Sequence, residues 1–459
     1  MSMVPTRNNW LYLIAVCLLA SGMLVHAIGS AYAQRPRLAL IRDAEIEALV
    51  ADYAAPLMRA ANLRRGSVDF YIVNDRTFNA FVSGRGMFLH TGLLLTAETP
   101  EEVIGVIAHE LGHIVGAHQI RLRQRLETAS RLATITSLLG LGLGAAASAA
   151  GVRSGASAGF GVAAGAQGFA LRDVLRYQRG EETAADRTAA ELLHKTKQSG
   201  RGMLKTLQRL ASSLSIISGR VDPYTISHPL PNARIAALED VLRRSPYFDS
   251  KSSAALRLRH DMVRAKIAAY VGGNDYARSL LSSNELAPPA RAYGRAITTF
   301  LYGSPKRALP MIDDLIRSQA KNAYVHEMKG EILLRSGKPA EAAKSFRRAI
   351  ALDRTKAGFI RVQLGHALVQ TGRKGDLDEA IVELNKGLAS DPSAVAGYQY
   401  LAMAHGQKGN QGLALLASAE LAVRTGRKKE ARQYARRAQQ SFKRGSPSWL
   451  RAEDIVIAR

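Results

Sequence analysis

A chain of 459 residues, 47% of them hydrophobic, is too long for one ordinary domain, and its length suggests roughly two to four units with sizeable cores. The formal net charge of +25 is spread along the sequence, without zinc-finger spacing, aromatic-basic interleaving or an RNP-like strand. That pattern argues for no nucleic acid partner and leaves acidic proteins or anionic membrane surfaces.

The first element in chain order is an export signal over residues 1–33. Arg7 supplies the positive region, Trp10 to Leu24 is mostly apolar, and Ala31-Tyr32-Ala33 forms a small-x-small cleavage site before Gln34. The competing reading is an uncleaved anchor, since Trp10 to Ile28 nearly spans a bilayer. Cys17, the sole cysteine, lies in this run, and the valine before it speaks against lipidation; cleavage leaves no thiol for a disulfide.

A second unit is expected over residues 34–245. Ile46, Leu49, Val50, Tyr53, Leu57 and Ala60 predict an amphipathic helix within Arg42 to Leu63. The period then changes to that of strands over Val68–Val73, Asn79–Val82 and Met87–His90. A helix should begin at Thr99-Pro100-Glu101-Glu102, where a hydroxyl N-cap, a proline at N1 and a glutamate at N3 spell a capping box. Inside that helix, Ala108-His109-Glu110-Leu111-Gly112-His113 places two imidazoles on one face with a carboxylate after the first. This is the pattern of a zinc peptidase, with Glu110 as general base for a water at the open position of the ion. In such a design the edge strand before the helix pairs with a substrate backbone.

Residues 132–171 carry no charge except Arg153 and are rich in Gly, Ala and Ser. They predict a close-packed or surface-associating helical hairpin near the active site; two membrane spans are the sharper alternative, opposed by the scarcity of large apolar groups in the second half. Beyond it, Glu182 and Asp186 share a helical face. Glu182 is the candidate third ligand and Asp186 the acceptor for the free N–H of a ligand histidine, with His109 preferred. Glu181 reads as a solvated first-turn carboxylate, His118 as packing or a support for the ligands, and His90 has no evident role.

From residue 250 to 459 the composition shifts to helix formers with a period near 34, the signature of stacked helix pairs forming an α-solenoid with a concave binding surface. Gly330, Ala342, Phe346 and Ala349 mark the clearest unit, Gly365, Ala380, Leu384 and Pro392 the next, with a short insertion at Lys374-Gly375-Asp376. Ala419, Ala431, Ala435 and Ala438 mark another, and weaker units cover Leu256–Ser283 and Ala290–Ala320. The last helices carry Arg424, Arg427, Lys428, Lys429, Arg432, Arg436, Arg437, Lys443 and Arg444, either a solvated face or a contact for an acidic partner or lipid headgroups.

His109-Glu110-x-x-His113, Glu182-x-x-Ala185-Asp186, Asn79-Ala80-Phe81 and Ser227-His228-Pro229-Leu230-Pro231 with Arg234-Ile235 together resemble the M48 family of zinc metallopeptidases. With the export signal and the tetratricopeptide repeats, the sequence is most similar to that family's periplasmic beta-barrel assembly-enhancing protease group. The resemblance implies a mainly α fold: an α+β gluzincin-type domain with a small sheet, followed by the solenoid. It implies one Zn²⁺ per chain held by His109, His113 and Glu182, with Glu110 as base. It further implies degradation of misassembled outer-membrane proteins, with the repeats touching the assembly machinery and a peripheral membrane contact as an option. For His228 the resemblance implies a gate that occupies the open metal position in a resting state; stabilising the oxyanion, with Arg234 nearby, is an alternative, and a plain loop histidine between prolines is the third reading. Two alternatives stand beside this reading: a binding-dominated assembly factor or chaperone with a self-inhibited zinc site, and an integral membrane M48 protease.

Overall fold

The computed structural model describes residues 38–149, 155–216, 228, 232–355 and 358–458. The expected export signal, and the residues beside His228 in its proline-flanked motif, lie outside them.

A short strand β1 (Leu40–Ile41) leads to helix α1 (Ala44–Ala60), which starts where the Asp43 side chain accepts the Ile46 N–H. Strands β2 (Asp69–Val73), β3 (Ala80–Ser83) and β4 (Gly86–His90) follow, in the sheet order β1-β2-β4-β3. β2 runs parallel to β4, and β3 antiparallel to it. Alternation sorts the sheet's faces. Tyr71, Phe88 and Phe81 stack in a row with ring centroids 4.9 Å apart, while Ile72, Val82, Met87 and Leu89 are buried. The strand next to the metal-motif helix in sequence, β4, is therefore interior, and among the described residues the edge strands are β1 and β3.

Helix α2 (Thr91–Thr96) turns the chain into α3 (Pro100–Val115), the motif helix, with Val103, Ile104, Ile107 and Leu111 in the core. Thr99 occupies its N-cap, but the expected capping box does not form: the threonine side chain makes no cap hydrogen bond. Glu102 is instead fully buried and pairs with Lys205 and Arg209, because ion pairing across helices satisfies it better than reaching back to its own N-terminus.

Helices α4 (His118–Ala149) and α5 (Gly155–Lys195) lie against each other, and the described residues of the small-residue segment belong to these two packed helices; residues 150–154 lie outside the described residues. No described helix is long and apolar enough to cross a membrane, which counts against the two-span alternative. α5 runs without interruption through Glu181, Glu182 and Asp186 to Lys195, so Glu181 sits in mid-helix, not in a first turn. Helices α6 (Arg201–Ile216) and α7 (Asn232–Arg243) pack onto each other, with α6 also against α3 and α7 against α5.

The solenoid begins with α8 (Ala254–Ile267), extended by a π-helical turn at Ala268–Gly272, and α9 (Asn274–Ser282). It continues through α10 (Pro288–Tyr302), α11 (Pro305–Ser318), α12 (Ala323–Arg335), α13 (Pro339–Leu352), α14 (Gly358–Thr371) and α15 (Lys374–Ser390). It ends with α16 (Val395–Gln407), α17 (Gln411–Arg424), α18 (Lys428–Gln439) and α19 (Pro447–Ile457). The repeat logic is visible at Gly330, where an added methyl would sit 2.7 Å from the Phe346 ring. The Lys374-Gly375-Asp376 insertion is absorbed as the first turn of α15 and interrupts nothing. One apolar cluster runs from Ile46 on α1 to Ile332 on α12, so the first repeats share a core with the domain before them.

Candidate metal and catalytic site

Helical spacing puts His109 and His113 on one side of α3. A close helix crossing then supplies the carboxylates. At Gly112 an added methyl would lie 2.6 Å from the Ala185 carbonyl oxygen, so this glycine lets α5 approach near enough for the flanking Glu182 and Asp186 to reach the histidines. His109, Glu110, Glu182, Asp186, His228 and Arg234 are all buried.

The Nε2 atoms of His109 and His113 are 3.1 Å apart, and they lie 3.4 and 3.3 Å from the two Glu182 oxygens. Nitrogens and oxygens held tetrahedrally at roughly 2.0–2.1 Å from one ion are separated by about 3.3–3.4 Å, so this spacing fits a zinc-sized ion between them. With His228 added, candidate ligand atoms all fall within 4.8 Å of one another. His228 Nδ1 is 3.1 Å from each Glu182 oxygen and 3.3 Å from His109 Nε2, while its Nε2 is 3.5 Å from Glu110 Oε1.

Both candidate ligand imidazoles, His109 and His113, are fixed through their far nitrogens. His109 Nδ1–H donates to Asp186 Oδ1 at 2.9 Å, and Asp186 also accepts from Arg234 Nε at 2.6 Å and Nη2 at 3.0 Å. Arg234, expected beside an oxyanion, directs its guanidinium at carboxylates, with Nη1 3.0 Å from Glu182 Oε2. His113 Nδ1 meets His118 Nδ1 at 2.9 Å, and His118 Nε2–H donates to Glu181 at 2.8 Å. Burial and the neighbouring His113 push His118 down to about 4, so it stays neutral and accepts the His113 proton, leaving His113 Nε2 with its lone pair facing inward.

His118 thus takes the supporting place that was one of its two expected readings, whereas the part of Glu181 in this second relay went unread in the sequence. Glu181 is not solvated: it takes His118 and Arg121, with Tyr177 bonded to the same arginine. The available signal was local, a histidine five residues beyond His113, but its partner depends on how α4 meets α5. His90 contacts Thr77 Oγ1 at 3.0 Å, a support for the turn before β3.

The electrostatics favour a cation. Burial opposes charge on His109, yet its bonds to Asp186 and Glu182 push it up to about 10. Burial likewise opposes ionised Glu182 and Asp186, but hydrogen bonds from His109, with His113 and His228 for the former and Arg234 for the latter, hold both below the usual carboxylate range. Glu110 differs. Burial pushes it up to about 7, partly offset by the two histidines, and its Oε1 has no hydrogen-bond partner among the described residues. A carboxylate poised near neutrality, beside a cation-seeking ligand set, is suited to moving a proton.

Residues 41–242 match peptidase family M48, and residues 323–356 match a tetratricopeptide repeat. A protein of Vibrio cholerae serotype O1 is 26% identical over 91% of this chain and 85% of its own length. One from Yersinia pestis is 26% identical over 88% and 82%, and one from Escherichia coli (strain K12) 25% identical over 89% and 81%. The latter two carry the name beta-barrel assembly-enhancing protease, and the first carries it provisionally.

Proposed function

Because residues 41–242 match peptidase family M48 and a tetratricopeptide-repeat match follows at residues 323–356, we propose that the chain is a periplasmic zinc metalloendopeptidase acting on misassembled outer-membrane proteins. The observation that carries the chemistry is the convergence of His109, His113 and Glu182 beside Glu110, whose Oε1 has no hydrogen-bond partner among the described residues. In this reading the first three hold the ion, one per chain, and zinc when bound lowers the pKa of a water and polarises the scissile carbonyl. Glu110 takes the proton of that water and returns it to the leaving amine. Asp186 and His118 orient the two imidazoles, and Arg234 keeps Glu182 and Asp186 ionised. The open edge of β3 pairs with an extended substrate backbone. The repeats present the binding surface for clients and assembly machinery, as their fold class does for proteins and peptides generally.

The position of His228, within reach of both Glu182 and Glu110, supports a second feature: a resting site restrained by this imidazole, so that binding through the repeats precedes cleavage. In Glu110→Gln we expect hydrolysis of an unfolded outer-membrane polypeptide to fall at least about 100-fold with metal retained. His109→Ala should lose the metal as well. Cleavage at wild-type rate by metal-loaded Glu110→Gln would overturn the assignment. Full rescue of outer-membrane assembly by that variant in cells would make binding the principal action.

A further inference from the structure

The open edge of β3 is already engaged, and by a side chain that imitates a peptide group. The His90 N–H donates to the Asn79 carbonyl, which with the β3–β4 register makes Phe81 and Ser83 the residues bonded toward β4. Ala80 and Val82 therefore turn their N–H and carbonyl groups outward, as does the Gly84 N–H one step further. Gln119, on the first turn of α4, lies against this edge: its Nε2 donates to the Val82 carbonyl, and its Oε1 accepts the Gly84 N–H at 3.2 Å. Those are two of the three outward groups that a strand added beyond Ala80 would use, the Val82 N–H being the third. Gln119 adjoins His118, whose ring contacts His113, so the contact flanks the candidate metal site. The residue is solvent-exposed, and rotation of its side chain alone would free the edge.

We propose that Gln119 is a removable stop on the substrate track: it limits strand pairing on β3 to the Ala80 end until a longer extended polypeptide displaces its carboxamide. The residue thus sets how much extended chain a client must offer, favouring long unpaired β-strands over short peptides. The inference rests on β3 being the substrate edge.

The test uses full-length, metal-loaded Glu110→Gln protein, with and without Gln119→Ala, and fluorescein-labelled Thr/Val peptides of about four and about ten residues followed by anisotropy. Gln119→Ala should tighten the long peptide roughly 3- to 10-fold, the worth of two exposed hydrogen bonds no longer displaced, and leave the short one unchanged. Equal affinities in the two proteins, or weaker long-peptide binding by Gln119→Ala, would overturn the stop. A long peptide N-methylated at alternate residues separates the two layers. Loss of its binding upholds β3 pairing whatever Gln119 does, whereas undiminished binding removes the edge-strand reading and the stop with it.

Discussion

Asp186 contacts no substrate in the proposed mechanism, yet it holds His109 Nδ1 and two nitrogens of Arg234 at once. Replacing it with asparagine keeps the shape but removes the charge that balances the guanidinium and fixes the imidazole. Zinc affinity should fall by about 10- to 100-fold, read by competition with a chromophoric chelator; an unchanged affinity would dismiss the orienting role. At this scale the sequence is legible where spacing is local. His109, Glu110 and His113 lie within one turn of helix, and Glu182 and Asp186 are one turn apart, so each group's common face follows from 3.6 residues per turn. Glu181, Arg234 and Gln119 are legible only once it is known which helix faces meet, because each finds its partner on another element.

His260, on α8, binds two earlier elements in one neutral ring: Nε2–H donates to the Ala97 carbonyl at 2.9 Å, and Nδ1 accepts the Tyr53 hydroxyl of α1 at 2.9 Å. Burial pushes it down to about 3 despite the carbonyl bond. The unfolded chain protonates first, near 6.5, so this contribution to stability is complete above that pH and is lost as pH falls toward 3. Between pH 6.5 and 5 the loss should approach about 2 kcal/mol in urea unfolding, and His260→Gln should flatten that limb. An equally steep limb in the variant would place the acid sensitivity elsewhere. Helices and strands were readable from their hydrophobic periods, and so was the solenoid. Where the reading failed, a distant partner had decided. Lys205 and Arg209 draw Glu102 away from its capping box; the sheet order that puts β3 at an edge had not been read at all, since it too depends on partners distant in sequence.

Across the whole molecule, the start of α1 is held by the solenoid. Lys266 lies 2.6 Å from Asp43 and 3.2 Å from Glu45, Tyr293 donates to Glu45 at 3.0 Å, and Arg42 reaches Asp391 on the far side of α15 at 3.1 Å. Burial, with Asp43 and Glu45 nearby, pushes the Glu327 carboxyl well up despite Lys266, so this junction holds an extra proton in place of a second cation. Lys266→Met removes the cation from the buried Glu45 and the partly buried Asp43 and should cost roughly 3–5 kcal/mol; calorimetry should show one transition for the wild type and an earlier, separated one for the variant. A single unshifted transition would mean that the junction carries no load between the halves. The basic C-terminal helices are partly spent within the fold, Arg424 over the Tyr398 ring and Arg432 on the Ala458 carbonyl, which no count of charges reveals. The unbroken run of α5 has a mechanical meaning. From Gly155 to Glu182 it is about 40 Å of continuous rod, and Glu182 and Asp186 are seated near its fixed end. Because one unbroken helix carries them, Glu182 and Asp186 move only together, and only with the small-residue arm that precedes them.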